Sequence, residues 1–350
     1  MKKRYVFSVL FLILSLALVS AAGQSESTAK GSDLIKINVS HQPAFSHGLL
    51  FMAKEKGWIE EEGLDLNMIA FESGIPQEEA MASGDVDISM IGSTAVIVGA
   101  QRKLVDQKVF GLAAEVTPLF TIISNKANIK SPADLKGKSV IFTVGSSMQY
   151  FLLMALEKYG LTEKDINVLH MEPSDGQVAY LAGNADAIVP LATQIWVLTS
   201  RDPKSKIIFD GSMLSQPPGK IIETKIIDLI VSTTKFADEN PEAMYRFQKL
   251  WYRCVDYIND PETRVDAITA IRDWQNKNYD AGLKYEDAEW MINRYSFSTA
   301  KQINELYENG IISESLTREA DFYVNSGRIE FSPEAQSYIS GKYVANYLAR

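Results

Sequence analysis

The 350-residue sequence predicts an α/β protein with two related halves and a helical C-terminal region. Three observations predict it. First, short β-branched and aromatic runs alternate with stretches of helical apolar spacing from Leu34 to Ser232. Second, one punctuation pattern occurs twice, as Ala82-Ser83-Gly84-Asp85-Val86-Asp87-Ile88 and as Leu181-Ala182-Gly183-Asn184-Ala185-Asp186-Ala187. Each copy follows a predicted helix and precedes a short buried strand, so two related halves is the simplest account. Third, from Asn240 onward the apolar period is helical.

The elements follow in order. Leu34–Val39 alternates as a strand and runs into a polar loop, residues 40–47, with His41, Gln42, Phe45 and His47. A helix follows with Leu49, Leu50, Ala53 and Trp58 facing inward. A charged turn then leads to a strand at Leu64–Met68. Phe71–Pro76 opens another helix, with Pro76 near its first position, and Ser83-Gly84 ends it. Val86–Ile91 is a strand, and Gly92-Ser93-Thr94 opens the next helix. Val109–Ala114 and Leu119–Ser124 read as strands, and Lys126–Lys130 as a hinge. Ser131–Leu135 is a short helix. Later strands are expected at 168–171, 185–189, 207–209 and 226–232. A helix starts in Pro173–Gln177. The last segment is helical over 241–258, 261–277, 285–293, 298–308, 315–325 and 333–349.

The stretch Ser139–Gly160 carries the strongest functional signal. Val140–Val144 is a strand, Gly145 breaks it, and Ser146 and Gln149 have capping-box spacing. Met148, Phe151, Leu152, Ala155, Leu156 and Tyr159 form one apolar stripe, closed by Gly160 at the C-terminal end. A strand that turns through Gly-Ser-Ser into a helix offers free N–H groups and hydroxyls at the positive end of a helix dipole. That suits an anionic or polar small ligand. An ordinary βα turn whose serines only cap the helix is the competing account. Similar turns occur at Ser73-Gly74 and Ser93-Thr94, where ligands gather beyond the carboxyl ends of parallel strands.

Residues 1–22 have the form of a secretory signal: Lys2, Lys3 and Arg4, an apolar run over Val6–Val19, and small residues before a cut after Ala22. The apolar run is shorter than the roughly 18 residues of a membrane-spanning helix. Removing it lowers 35 basic residues to 32 against 44 acidic ones, a formal charge of −12. Such acidity argues against nucleic acid and anionic membranes as partners. Residues 24–32 read as a disordered mature N-terminus. Cys254 is the sole cysteine, on the apolar face of the helix opened by Asn240 and Pro241, and reads as a core thiol. His41, His47 and His170 lack metal-ligand spacing, and no cofactor is expected.

Four segments, AKEKGWIEEEGLDLNM at 53–68, MASGDVDISMIGSTA at 81–95, SPADLKGKSV at 131–140 and TTKFADENPE at 233–242, carry a family resemblance. In this order they resemble the periplasmic substrate-binding proteins of nitrate, sulfonate and taurine ABC transporters, a group that also holds binders of thiamin-pyrimidine precursors. The resemblance implies a two-lobe periplasmic binding protein fold (type II) with the ligand cleft between lobes. Lobe one would be 34–125 with 226–350, and lobe two 130–215. It implies ligand contacts at Gln42, Phe45, His47, Ser73, Gly74, Ser93, Thr94, Glu115, Ser146, Ser147 and Asp175. It further implies a monomer in the periplasm, partnered by a permease and an ATPase, that closes on its solute without catalysis. One departure matters: Ile188–Thr193 lacks the Trp-acid-Pro run that family members often carry there, which weakens the transfer of an amine-binding carboxylate from that position and, with it, a taurine assignment.

The alternatives are a binder of a thiamin-pyrimidine precursor, a pyrimidine synthase on the same fold, a sensor module, and a lobe pair without ligand. The synthase would be expected to have a Cys-rich iron-binding stretch, which a single cysteine does not supply. Phe45, Tyr150 and Trp196 are candidates for stacking on a heterocycle.

Overall fold

The computed structural model describes residues 34–220 and 225–350; the expected signal peptide and the polar segment 24–32 lie outside them. The strands, numbered in chain order, are β1 (Ile35–His41), β2 (Leu64–Ala70), β3 (Ile88–Gly92), β4 (Gln107–Glu115) and β5 (Thr121–Ser124). They continue with β6 (Ser139–Phe142), β7 (Asn167–His170), β8 (Ala187–Ile188), β9 (Lys206–Asp210) and β10 (Ile227–Thr233). Two five-stranded mixed sheets result, ordered β2-β1-β3-β10-β4 and β7-β6-β8-β5-β9.

The two sheets have one plan. In the first, β1 pairs in parallel with β2 and β3, and β10 runs antiparallel between β3 and β4. In the second, β6 pairs in parallel with β7 and β8, and β5 runs antiparallel between β8 and β9. The sequence echo falls at matching places. Asp87 Oδ2 accepts the Asn38 N–H of β1 at 2.9 Å, and Asp186 Oδ2 accepts the Ser139 N–H of β6 at 2.9 Å. In both halves an acid three residues past a helix-ending glycine ties down the neighbouring parallel strand.

The chain crosses between sheets after β4 and again before β10. The Val116 N–H donates to the Ile226 carbonyl at 2.9 Å, and the Ile226 N–H donates to Thr117 Oγ1 at 2.8 Å. The expected hinge at Lys126–Lys130 is therefore corrected. That segment joins β5 to β6, both in the second sheet, and the crossing lies earlier, where Pro118 helps form a short 3-10 turn at Thr117–Leu119. Likewise Thr121–Ser124, grouped with lobe one in the sequence, is hydrogen-bonded to β8 and β9.

Other boundaries shift for local reasons. Trp58–Glu61, expected as a turn, is one helical turn started by Gly57. The segment 333–349 splits into Ala335–Tyr338 and Lys342–Leu348 around Ile339–Gly341. Helices at Ile195–Arg201 and Thr234–Glu239 were not expected; each is too short for a periodic signal. The helix Pro241–Asn259 buries Met244, Phe247, Leu250, Trp251, Cys254, Val255 and Ile258, the face its period predicts. Burial drives the Cys254 thiol pKa up and leaves it an inert core group. No helix among the described residues is long and apolar enough to cross a membrane.

The Asp186 carboxylate also accepts from Ser139 Oγ at 3.0 Å. Asp186→Ala leaves both donors without it, so unfolding should become easier by about 2 kcal/mol. Urea denaturation monitored by circular dichroism measures this; an unchanged midpoint would remove the acid's structural role.

Candidate functional site

Three helices begin where strands end, and all three N-cap residues meet at one cavity. β6 ends at Phe142, and Gly145, at φ +75°, turns the chain into the helix Ser147–Lys158. Ser146 is its N-cap, but the expected capping box does not form. Ser146 Oγ donates to the Thr143 carbonyl at 2.6 Å, and Gln149 Oε1 accepts the Gly145 N–H at 2.9 Å. Both side chains tighten the turn and leave the first helical N–H groups uncapped. In the first half, Ser73 is the N-cap of the helix Gly74–Ser83 and makes no capping hydrogen bond either.

The third helix, Ser93–Arg102, starts after Gly92 at the end of β3. Ser93 Oγ and Thr94 Oγ1 donate to the two carboxylate oxygens of Glu319, at 2.6 and 2.5 Å. Glu319 comes from the helix Ile311–Asn325 and is buried; desolvation pushes its pKa up to about 7 against the pull of the two hydroxyls. At this helix start the chain supplies its own acid.

The cavity measures about 50 Å³. Its walls include the N-caps Ser73, Gly92 and Ser146, the first helical residues Gly74 and Ser147, Gln42, and the apolar Phe120, Met148 and Leu191. A side chain at Gly92 would place its Cβ 2.7 Å from Ser147 Oγ, so the halves approach closely only because position 92 has none. Ser147 Oγ itself is buried without a hydrogen-bond partner among the described residues. Beyond Glu72 and Leu191, which both cavities share, lies a larger one of about 490 Å³.

Asp228, from β10, closes the floor of the small cavity. Its Oδ2 accepts from Ser46 Oγ at 3.1 Å, and desolvation pushes its pKa up to about 6. His47 Nε2 lies 3.8 Å from the same oxygen. His47 Nδ1 accepts the Gln42 N–H at 2.9 Å, which assigns the ring proton to Nε2. Burial, reinforced by His41, pushes the His47 pKa down to about 3, so the ring stays neutral.

Of the residues expected at the site, Gln42, Ser73, Gly74, Ser146 and Ser147 line the small cavity, and His47 stands behind Gln42 and Asp228. The others are placed elsewhere. Phe45 is a fully buried core side chain, and Ser93 and Thr94 are spent on Glu319. Glu115 pairs with Lys225 at 3.4 Å, and Asp175 is exposed on the first turn of the helix Pro173–Leu181. The stacking candidates are also committed: Tyr150 packs on Phe322 and Tyr323, and Trp196 on Trp290. Sequence reasoning passed over Asp228, although a lone acid within Ile226-Ile227-Asp228-Leu229-Ile230 marks a carboxylate buried for a purpose. It also passed over Gly92 as a contact and Glu72 as a latch. Glu72 accepts from the Ser174 N–H at 3.1 Å and from Ser174 Oγ at 2.8 Å, joining the first half to the helix start at Pro173.

This is the two-lobed periplasmic binding protein fold, with cavities lined from both α/β lobes. The chain belongs to the NMT1/THI5 like family, whose model matches residues 44–281. It is 25% identical over 351 residues to a Bacillus subtilis (strain 168) protein named as a candidate aliphatic sulfonates-binding protein, covering 97% of this chain and 96% of that one. It is 23% identical over 316 residues to the taurine-binding periplasmic protein of Escherichia coli (strain K12), covering 89% and 93%. Its structure is similar to the alkanesulfonate-binding protein SsuA from Xanthomonas axonopodis pv. citri bound to MOPS, with a TM-score of 0.70, 20% identity, and coverage of 88% of this chain and 100% of that one.

Two outcomes test the site's geometry. Gly92→Ala should wedge the halves apart, raising the radius of gyration in X-ray scattering, and a second change, Ser147→Ala, should restore it. Asp228 has its folded pKa raised above 3.8, so its contribution to stability is full below pH 4 and is lost as pH rises through about 6. The stability advantage of Asp228→Asn over the native chain should therefore grow by up to about 3 kcal/mol between pH 4 and pH 7, as read by urea unfolding.

Proposed function

We propose that this chain is an extracytoplasmic solute-binding protein of an ABC importer. It captures a small anionic or polar organic solute, of the sulfonate or taurine kind, between its lobes. The lobes would divide near residues 116–120 and 211–226, where the chain passes from one sheet to the other. The observation that carries the proposal is the pair of uncapped helix starts, Ser73-Gly74 and Ser146-Ser147, which come from different sheets and line one cavity. An anion placed there satisfies N–H groups of both halves at once and gains from two helix dipoles.

The mechanism is closure. A solute held by both halves stabilises the closed form by its preference for that form. Moving the equilibrium from mostly open to mostly closed takes about 5 kcal/mol of preference, within reach of several charge-assisted hydrogen bonds in a desolvated cleft. Ser147 Oγ and Gln42 complete the walls as donors, and Asp228, a like charge to the solute, accommodates an anion in its protonated form, toward which burial already pushes it. The closed form is then presented to a permease and ATPase in the membrane, with the protein working in the periplasm. No covalent step is included; named relatives are binding proteins, and the sole cysteine is buried away from the cleft.

Titration calorimetry with methanesulfonate, taurine and nitrate tests this. At least one should bind with heat, and Ser147→Ala should weaken that binding about tenfold, the value of one hydrogen bond to an anion. Equal affinity in the variant would remove Ser147 from the cradle, and no binding by any of the three would remove the anion.

A further inference from the structure

The cavity of about 490 Å³ beyond Glu72 and Leu191 has the size of a site for an organic molecule, which the inner one has not. Its walls come from both halves. Phe71 and Tyr279 on one side and Leu191 and Val197 on the other make them largely apolar. The polar groups divide unevenly. Glu72 is taken by Ser174, and Gln194 is taken by the Pro173 carbonyl and the Leu191 N–H. Arg201, Gln177 and Thr193, all from the second half, have no side-chain hydrogen-bond or ion-pair partner among the described residues. Of the two acids lining this chamber, Glu72 and Asp280, Asp280 has no side-chain partner among the described residues.

We infer that the outer chamber receives the tail of the same ligand whose anionic head occupies the inner one, and that this tail ends in a hydrogen-bond acceptor held by Arg201. The inference rests on the anion-binding function proposed above and extends it to a substrate class: a bifunctional organic acid, several atoms long, with an acidic group at one end and a carboxylate, sulfonate or carboxamide at the other. Glu72 and Leu191 line both chambers, so the two lie side by side and a ligand several atoms long would pass between these two side chains. A bare inorganic anion would fill the inner chamber and leave the outer one to water. A purely apolar tail would bury its carbons against Phe71 and Val197 but would offer nothing to the guanidinium. Arg201 has five N–H donors and no acceptor, so a planar carboxylate or a sulfonate matches it in a two-point arrangement. Gln177 and Thr193 add donors on the same wall. Asp280, a like charge to an acidic tail, disfavours it, and removing that charge should favour it.

Calorimetry of the purified protein with three probes tests the inference: methanesulfonate carries the head alone, butane-1-sulfonate adds an apolar tail, and 4-sulfobutanoate adds the second acceptor. The expected order of affinity is 4-sulfobutanoate, then butane-1-sulfonate, then methanesulfonate, with about tenfold between the first two. Arg201→Gln should remove that tenfold and leave methanesulfonate unchanged, while Asp280→Asn should tighten 4-sulfobutanoate alone. Val197→Trp, which fills the outer chamber, should weaken both long probes and spare the short one. Equal affinity for all three probes, or an Arg201→Gln loss of equal size for methanesulfonate, overturns the inference and leaves the inner anion site standing. Binding by none of the three overturns the anion site, and the inference falls with it.

Discussion

The N–H groups at the start of an α-helix cannot be satisfied within the helix, and the cleft of this protein is organised by where those groups point. Four helices begin at the inner edges of the two sheets. At Pro173 a carboxylate of the chain, Glu72, accepts the Ser174 N–H, and at Ser93 another, Glu319, accepts the hydroxyls of Ser93 and Thr94. At Gly74 and Ser147 no carboxylate among the described residues hydrogen-bonds to the helix start, and the N-cap side chains do not take its place. Two internal acids thus mark what the other two helix starts accept from outside.

One of these acids, and the helix that carries the other, also tie the halves together. Glu72 reaches from the first half to Ser174 in the second. The helix that carries Glu319 also carries Tyr323, whose hydroxyl donates to the Ser146 carbonyl at 3.3 Å. One C-terminal helix therefore contacts a helix start in each half and is sensitive to their separation. Gly92 sets the limit of approach, since its missing side chain is the space that Ser147 Oγ occupies. Hydrogen bonding across the cleft and steric fit at its floor depend on one another.

Much of this was legible in the sequence, because it depends on local chemistry. The Gly-Ser turns mark strand-to-helix junctions, the echo around Asp87 and Asp186 marks equivalent strands, and the period of Pro241–Asn259 marks its buried face. What was not legible depends on long-range partners. Ser93 and Thr94 look like the other hydroxyl turns, and only the arrival of Glu319, more than two hundred residues later, sets them apart. The short run Thr121–Ser124 is apolar enough for either sheet, and its partners β8 and β9 decide the matter. Asp228 did leave a trace, a charge within an apolar strand, but its neighbours Ser46 and His47 come from the opposite end of the first half.

The position of β10 has a consequence for how the polypeptide is made. The second sheet draws all its strands from one continuous segment, Thr121–Asp210, and can be completed as soon as that segment emerges. The first sheet cannot. β3 and β4 are neighbours in sequence but are separated in space by β10, so both keep open hydrogen-bonding edges while about 110 further residues are added. Unpaired edges of this kind invite association between chains. Biogenesis thus has a built-in interval of vulnerability, during which the newborn protein depends on whatever shields those strands until its last β-segment slots into place.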